Sequence, residues 1–450
     1  MNFPMLHIPV IGDGMTIAAD AVLHVLISHG VAIGVVFFLV FFQSIYALGG
    51  DVFWKHASKS LLFPALITTT SVGAVTGVGI WFITGILAPG GIGSLIHLFF
   101  WPWFIEWWAF TLEVILILIY FYAWPRLSEN HPKTLMLLGW GYVITACISA
   151  ILISGILGFM LTPDGWPQGQ TFSAAYFNPT FVVQFILRIF AGVCIGGVLV
   201  LGWASWAWKT AAENRKKVLQ ATAAIMLASL MIATVSAYTY FHQIPQTFLT
   251  HWKFSVATSA LSEHPGYIYL VNGLGMAVII CIALAALFGY RKTVVLLFLP
   301  ALACSILYVA QFERIREFVR GPYLIPGYMY ANQVHMVKNL ASAKDGILSA
   351  HTWINQPLVT APSARQGQAL FDANCAVCHT IGGINDITQR LSGRTLEGVN
   401  AIISITDKMV PFMTPFSGTD SERLKLAQYL YYLSAKESRP QPKMLTAKGN

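Results

Sequence analysis

Phe371-Asp372-Ala373-Asn374-Cys375-Ala376-Val377-Cys378-His379 carries two thiols three positions apart, followed at once by an imidazole. Each thiol can add across one vinyl group of a haem while His379 binds the iron, which is the C-x-x-C-H arrangement of covalent c-type attachment. A zinc site on the same cysteines would need two more soft ligands nearby, and residues 380–450 contain neither Cys nor His. One covalent haem c on Cys375 and Cys378, with His379 as an axial ligand, is therefore implied, and with it electron transfer. An iron tuned for that work takes a thioether opposite the imidazole. Met409-Val410-Pro411-Phe412-Met413-Thr414-Pro415-Phe416 offers two, Met413 and Met409. Beyond them Leu424, Leu426, Tyr429, Leu430 and Leu433 recur at helical spacing and predict a closing amphipathic helix.

Composition sets the remainder apart. Hydrophobic residues make up 56% of the chain and charged ones 10%, against a usual charged share of about 25% in soluble domains. Eight apolar runs, at roughly 20–48, 61–88, 100–124, 134–162, 179–208, 217–240, 267–290 and 294–318, are each long enough to cross a bilayer. Cys147, Cys194, Cys281 and Cys304 all lie in such runs and read as small buried hydrophobes, so no disulfide framework is implied. The first seventeen residues lack the basic start of a cleavable signal and read as an ordered cap.

The fold expected is all-α: a polytopic transmembrane bundle of about eight helices over 1–330, a linker at 331–360, a small helical haem-binding domain at 361–437 and a tail at 438–450. The formal charge of +8 does not point to nucleic acid, because the cations fall in short loops between apolar runs. Lys55 and Lys59, Arg126 and Lys133, Lys209 to Lys217, and Arg291 and Lys292 occupy alternate loops, whereas the intervening loops hold only Lys253. The positive-inside rule then puts both termini, and the haem c domain, on the exported face of a bacterial inner membrane.

Residues 361–437 resemble a small class I cytochrome c, in which Met413, within Met413-Thr414-Pro415-Phe416, matches the distal ligand better than Met409. The membrane part has its own signature. Gly73-Ala74-Val75-Thr76-Gly77 lies in the second run, Glu106 and Glu113 in the third, Asp164-Gly165-Trp166-Pro167-Gln168 after the fourth and Glu317-Phe318-Val319-Arg320-Gly321-Pro322-Tyr323 at the end of the eighth. Taken in order these resemble subunit I of cytochrome bd-type oxidases over about 15–330. The resemblance implies non-covalent haem b and/or haem d. It places His24, with His29 as the alternative, on the oxygen-reactive haem and Glu317, with Arg320 beside it, on the neighbouring high-spin haem. It gives Glu106 and Glu113 to haem or proton access, and keeps Met276 as a low-spin haem partner. It further implies a second membrane subunit, toward which Trp101, Trp103, Trp107 and Trp108 are expected to face. Acids inside a membrane are costly unless they bind metal or carry protons, which fits these roles.

Two departures from the family pattern carry information. Asn178-Pro179 is followed by Phe185-Ile186-Leu187-Arg188, with no His on that helix, and Arg188 is left to pair with a haem propionate or a glutamate. The loop between the sixth and seventh runs, part of quinol oxidation in the family, is cut to about 241–266. Quinol thus stays open as a partner, and haem c becomes the expected port for a c-type cytochrome or another exported carrier. His335, His351, His242, His251 and His97 are further exported-side axial-ligand candidates. Two functions follow: a haem oxidoreductase passing electrons between haem c and membrane haems to reduce oxygen or a related small molecule, or a non-catalytic relay subunit.

Overall fold

The computed structural model describes residues 6–169, 171–250, 266–350, 362–410 and 412–437. His251, His351, most of the shortened loop, residues 351–360 of the linker, residue 361 and the tail from 438 lie outside the described residues.

Among the described residues, eight helices are long and apolar enough to cross a membrane: α1 (Asp13–Gly49), α2 (Val52–Leu87), α3 (Phe100–Asn130), α4 (Pro132–Leu161), α5 (Phe181–Gly202), α6 (Ala212–Gln243), α7 (Tyr267–Leu287) and α8 (Arg291–Val319). The apolar runs locate all eight. They start too late for α1 and α2, because hydropathy marks what lipid would cover whereas polar caps mark where a helix begins. Asp51 is such a cap, its side chain accepting from Phe53 N at 3.0 Å.

The chain divides into two compact units, residues 18–82 with 93–320, and residues 1–17 with 83–92 and 321–450. In the first, α1, α4 and α5 form the interior: Phe38, Phe42, Leu135 and Leu201 are fully buried. α2, α3 and α8 present most of their apolar surface outward, with 17% of their most apolar windows buried against 56% for α1. π-Helical turns interrupt α1 at Ser28–Val35 and α2 at Thr68–Gly73, and another follows α5 at Trp203–Ala207. Each shifts the helical phase and redirects side chains, which is why such turns gather at functional sites.

The second unit holds the C-x-x-C-H stretch. A short antiparallel pair, β1 (Tyr323–Ile325) and β2 (Met329–Tyr330), precedes α9 (Met336–Asp345). α10 (Ser363–Asn374), α11 (Leu396–Ser404) and α12 (Asp420–Glu437) then pack Leu370, Phe371, Val399, Leu426 and Leu430 into one core. The closing helix predicted from its apolar spacing is α12. Thr419 and Glu422 form a capping box at its start, Glu422 accepting from Thr419 N at 3.0 Å and Thr419 Oγ1 from Glu422 N at 3.3 Å. Glu422 also accepts from Ile347 N and Leu348 N, both at 2.9 Å. With Ile347 and Leu348 buried in this core, that part of the expected linker is folded structure and no plain tether. The N-terminal segment belongs to the same unit: Ile384 N donates to Val10 O at 2.6 Å and Gly14 N to Val377 O at 3.3 Å.

Candidate haem-binding sites

α10 ends where the haem motif begins. Cys375 N donates to Phe371 O at 2.8 Å, and Cys378 N and His379 N donate to Cys375 O at 3.1 and 2.8 Å, coiling the motif into one turn. His379 Nδ1 faces Asn385 O at 3.3 Å. A carbonyl can only accept, so Nδ1 carries the proton and Nε2 keeps the lone pair that a metal needs. Asn385 has φ 62° and donates through Nδ2 to Cys378 O at 2.5 Å, which fixes the carbonyl that orients the ligand. Burial holds His379 below its ordinary value, in the neutral ligating form, and pushes the Cys375 thiol up to about 12. The loop after α11 is pinned by Thr406 Oγ1 donating to Thr414 O at 2.7 Å and Ser417 Oγ to Asn374 Oδ1 at 3.1 Å. Within it Met413 is half-buried and Met409 is 53% exposed.

In the membrane unit, His24 on α1 meets α2. Thr76 Oγ1 donates to Val72 O at 2.7 Å, so it accepts from His24 Nδ1 at 3.2 Å, and Nε2 is again left with its lone pair. A Cβ on Gly77 would stand 3.0 Å from His24 Cε1, so the glycine makes room for the ring. Asp20, one turn earlier on the same face, packs beside Gly79, and its buried Oδ2 has no partner among the described residues. The sequence reading passed over Asp20, although an acid inside an apolar helix was the available signal.

Glu106 and Glu113 lie two turns apart on α3. Ser149 Oγ of α4 donates to Glu106 Oε1 at 3.0 Å, and Glu113 lies in the same Ser149 neighbourhood, within electrostatic reach of Glu106 and Tyr142. Glu317 pairs with Arg320; its side chain is 47% exposed while that of Arg320 is wholly buried. The buried carboxylate of this region lies one turn earlier. Glu313 accepts from Arg188 Nη2 at 2.7 Å and from Arg316 Nη2 at 2.9 Å. Of the two partners expected for Arg188, the structure thus provides the glutamate. Glu313 was missed because nothing local distinguishes it from Glu317; only the approach of α5 to α8 does. Met276 is half-buried on α7, next to Gly275, where Tyr308 of α8 packs. His97 and His242 are exposed, and His335 stands edge-on to Tyr328.

These residues fit haem better than a bare ion. No group of three or more His, Cys, Asp or Glu able to hold a metal occurs among the described residues. A lone imidazole with a committed Nδ1 suffices only for a metal that brings its own equatorial ligands.

Comparison with known proteins agrees. The family described as cytochrome bd terminal oxidase subunit I matches residues 15–250, just over half of the chain, and cytochrome C oxidase, cbb3-type, subunit III matches residues 362–430. Among curated relatives, cytochrome bd-II ubiquinol oxidase subunit 1 of Escherichia coli (strain K12) is 24% identical over 185 residues, 39% of this chain and 35% of that protein. The putative cytochrome bd menaquinol oxidase subunit I of Bacillus subtilis (strain 168) is 28% identical over 159 residues, 34% of this chain and 33% of that one. The chain thus spans about a third of the length of these relatives. The solved bd oxidase from Geobacillus thermodenitrificans matches with a TM-score of 0.59 at 18% identity, covering 71% of this chain and 90% of that chain, a likeness of fold. With its first six membrane-length helices matched in family, its helical fold matched in structure and its C-x-x-C-H region matched separately, this chain belongs to the cytochrome bd terminal oxidase subunit I family and carries a fused cytochrome c region, a membrane-bound haem redox protein.

Proposed function

We propose that the protein is a respiratory oxidoreductase that moves electrons between a haem c held by Cys375, Cys378, His379 and Met413 and b- or d-type haems of its membrane unit, reducing oxygen or a related small molecule. The observation that carries this reading is His24, whose Nδ1 is spent on Thr76 while Nε2 stays open, in a chain that also holds a complete C-x-x-C-H seat. Bound haem iron supplies the redox chemistry. The protein's residues hold and orient it: His24 and His379 present neutral imidazoles, Glu317 is the proposed ligand of a second membrane haem with Arg320 beside it, and Met276 is a further proposed contact. Glu106 and Glu113 are assigned to protons. A carboxylate hydrogen-bonded to a serine within an apolar helix can take up and release one without leaving the membrane.

The relatives' names describe them as ubiquinol and menaquinol oxidases. For this chain we assign electron exchange to haem c, with an exported c-type cytochrome or similar carrier as partner, and we expect a second membrane subunit against the tryptophan-rich outer face of α3. Trp101, Trp107 and Trp108 are exposed there. Alternating loop charge supports placing the haem c region on the exported side of a bacterial inner membrane.

Carbon monoxide added to the reduced, purified protein tests the reading. A shifted high-spin haem spectrum, abolished in His24→Ala, is the expected result, and Glu317→Gln should separately remove part of the b-type haem. Wholly six-coordinate haem, unmoved by the gas, would make the protein a relay subunit instead.

A further inference from the structure

His24 and His29 are both on α1, but they are not two versions of one ligand. Five residues at 3.6 per turn place them about 140° apart. His24 meets Thr76 and Gly77 of α2, whereas His29 turns to α5. A Cβ on Gly192 would fall 2.7 Å from His29 O and 3.1 Å from its Cβ, so the helices touch at this histidine only because residue 192 is glycine. The His29 ring has one nitrogen occupied, Nδ1 at 2.9 Å from Ser28 Oγ. Its Nε2 is buried and has no partner among the described residues.

The same interior is short of anions. His29 lies within electrostatic reach of Arg188 and Glu313. Glu313 serves both Arg188 and Arg316, and Glu317 serves Arg320. Three guanidiniums thus face two carboxylates, one of them half-exposed. Among the described residues, buried N–H groups remain without partners at Arg188 Nε, Arg316 Nη1, and Arg320 Nε and Nη1, and both amide atoms of Gln184, one turn from Arg188, are likewise unpaired. Buried donors left unmade are costly, and in a membrane water cannot be assumed to relieve them.

We propose that His29 is the iron ligand of a further b-type haem, beyond those given to His24 and Glu317, seated toward the Arg188, Arg316 and Arg320 cluster, which receives its propionates. An open imidazole nitrogen answers the iron, and unspent guanidinium N–H groups answer two carboxylates. A bare metal ion would need several His, Cys, Asp or Glu ligands together, and among the described residues no such group occurs. The proposal rests on the reading that the membrane unit binds haem at all, and adds to it that α1 carries two ligands, one per face.

The test is haem stoichiometry in the full-length protein in detergent, with covalent haem c as internal standard. His29→Ala should lower the b-to-c ratio of the pyridine haemochrome by one haem, and His24→Ala should remove a different one, so that each variant keeps the spectrum the other lacks. Adding imidazole to His29→Gly should restore the haem, an effect that a packing role for His29 would not produce and that decides the matter if the alanine variant fails to fold. An unchanged ratio and ferric spin state in His29→Ala, with His24→Ala depleted, would overturn the proposal and leave the proposed function standing. Unchanged ratios in both variants would sink the reading on which it rests.

Discussion

The two units hold their proposed haem-binding residues by opposite means. In the cytochrome c unit, Cys375, Cys378 and His379 fall within one turn after α10, and the ligand is oriented by Asn385, six residues away. In the membrane unit, the contacts that set the candidate residues come from other helices: Thr76 is 52 residues from His24, and Arg188 is 125 residues from Glu313. A local site can persist when distant packing loosens, whereas a site assembled from several spans exists only when the bundle is packed. A buried ion network adds to that dependence, because removing one member leaves the others as uncompensated charges.

The largest expected effect comes from breaking that network. Glu313→Leu leaves Arg188 and Arg316 buried without a counter-charge and should cost about 3–5 kcal/mol, seen as a lowered unfolding transition of the membrane unit in detergent. Covalent haem c should be retained in full. Recovery of much of the loss in the double variant Glu313→Leu with Arg188→Leu would confirm that the cost is uncompensated charge. A loss of haem c in step with the bundle would break the contrast between the units.

A smaller change sharpens the local side. Met413→Ala should retain covalent haem but lose the sulfur-to-iron charge-transfer band and fall in potential, because a thioether favours ferrous iron. Met409→Ala, at the exposed position, should do neither. The opposite pattern in the optical spectrum would transfer the role to Met409.

The smallest effect is a pH dependence at the N-terminal segment. His7 Nδ1 stands 2.6 Å from Asp13 Oδ2. Burial alone would lower His7, but the hydrogen bond and charge of Asp13, and then the charge of Asp372, outweigh it and hold His7 above its ordinary 6.5. A raised value means that the folded state binds the proton more tightly, so the stabilisation is complete below about pH 6.5 and is lost as pH rises through the folded value. His7 is partly exposed, so the effect should stay within about 1 kcal/mol. His7→Ala should flatten the pH profile of thermal unfolding followed at haem c; an unchanged slope would show that the pair does not anchor the segment.

The sequence by itself determined what depends on covalent order and on composition. Eight spans were legible because an apolar run must be about twenty residues long to cross lipid, wherever its neighbours lie. The cytochrome c region was legible because its C-x-x-C-H motif has a fixed spacing, and α12 because its apolar residues recur at helical period. Only the tertiary structure decided which face of α1 meets which helix. Hydropathy is nearly uniform around a span, and a π-turn changes the phase of everything after it without a clear mark in the residues. Helical spacing alone sets His24 and His29 about 140° apart, but which helices those two faces meet was decided only by the packing. For the same reason Glu313, one turn from Glu317 and chemically identical to it, became the buried acid: burial is conferred by the approach of α5 and Arg188, and no local pattern on α8 encodes it.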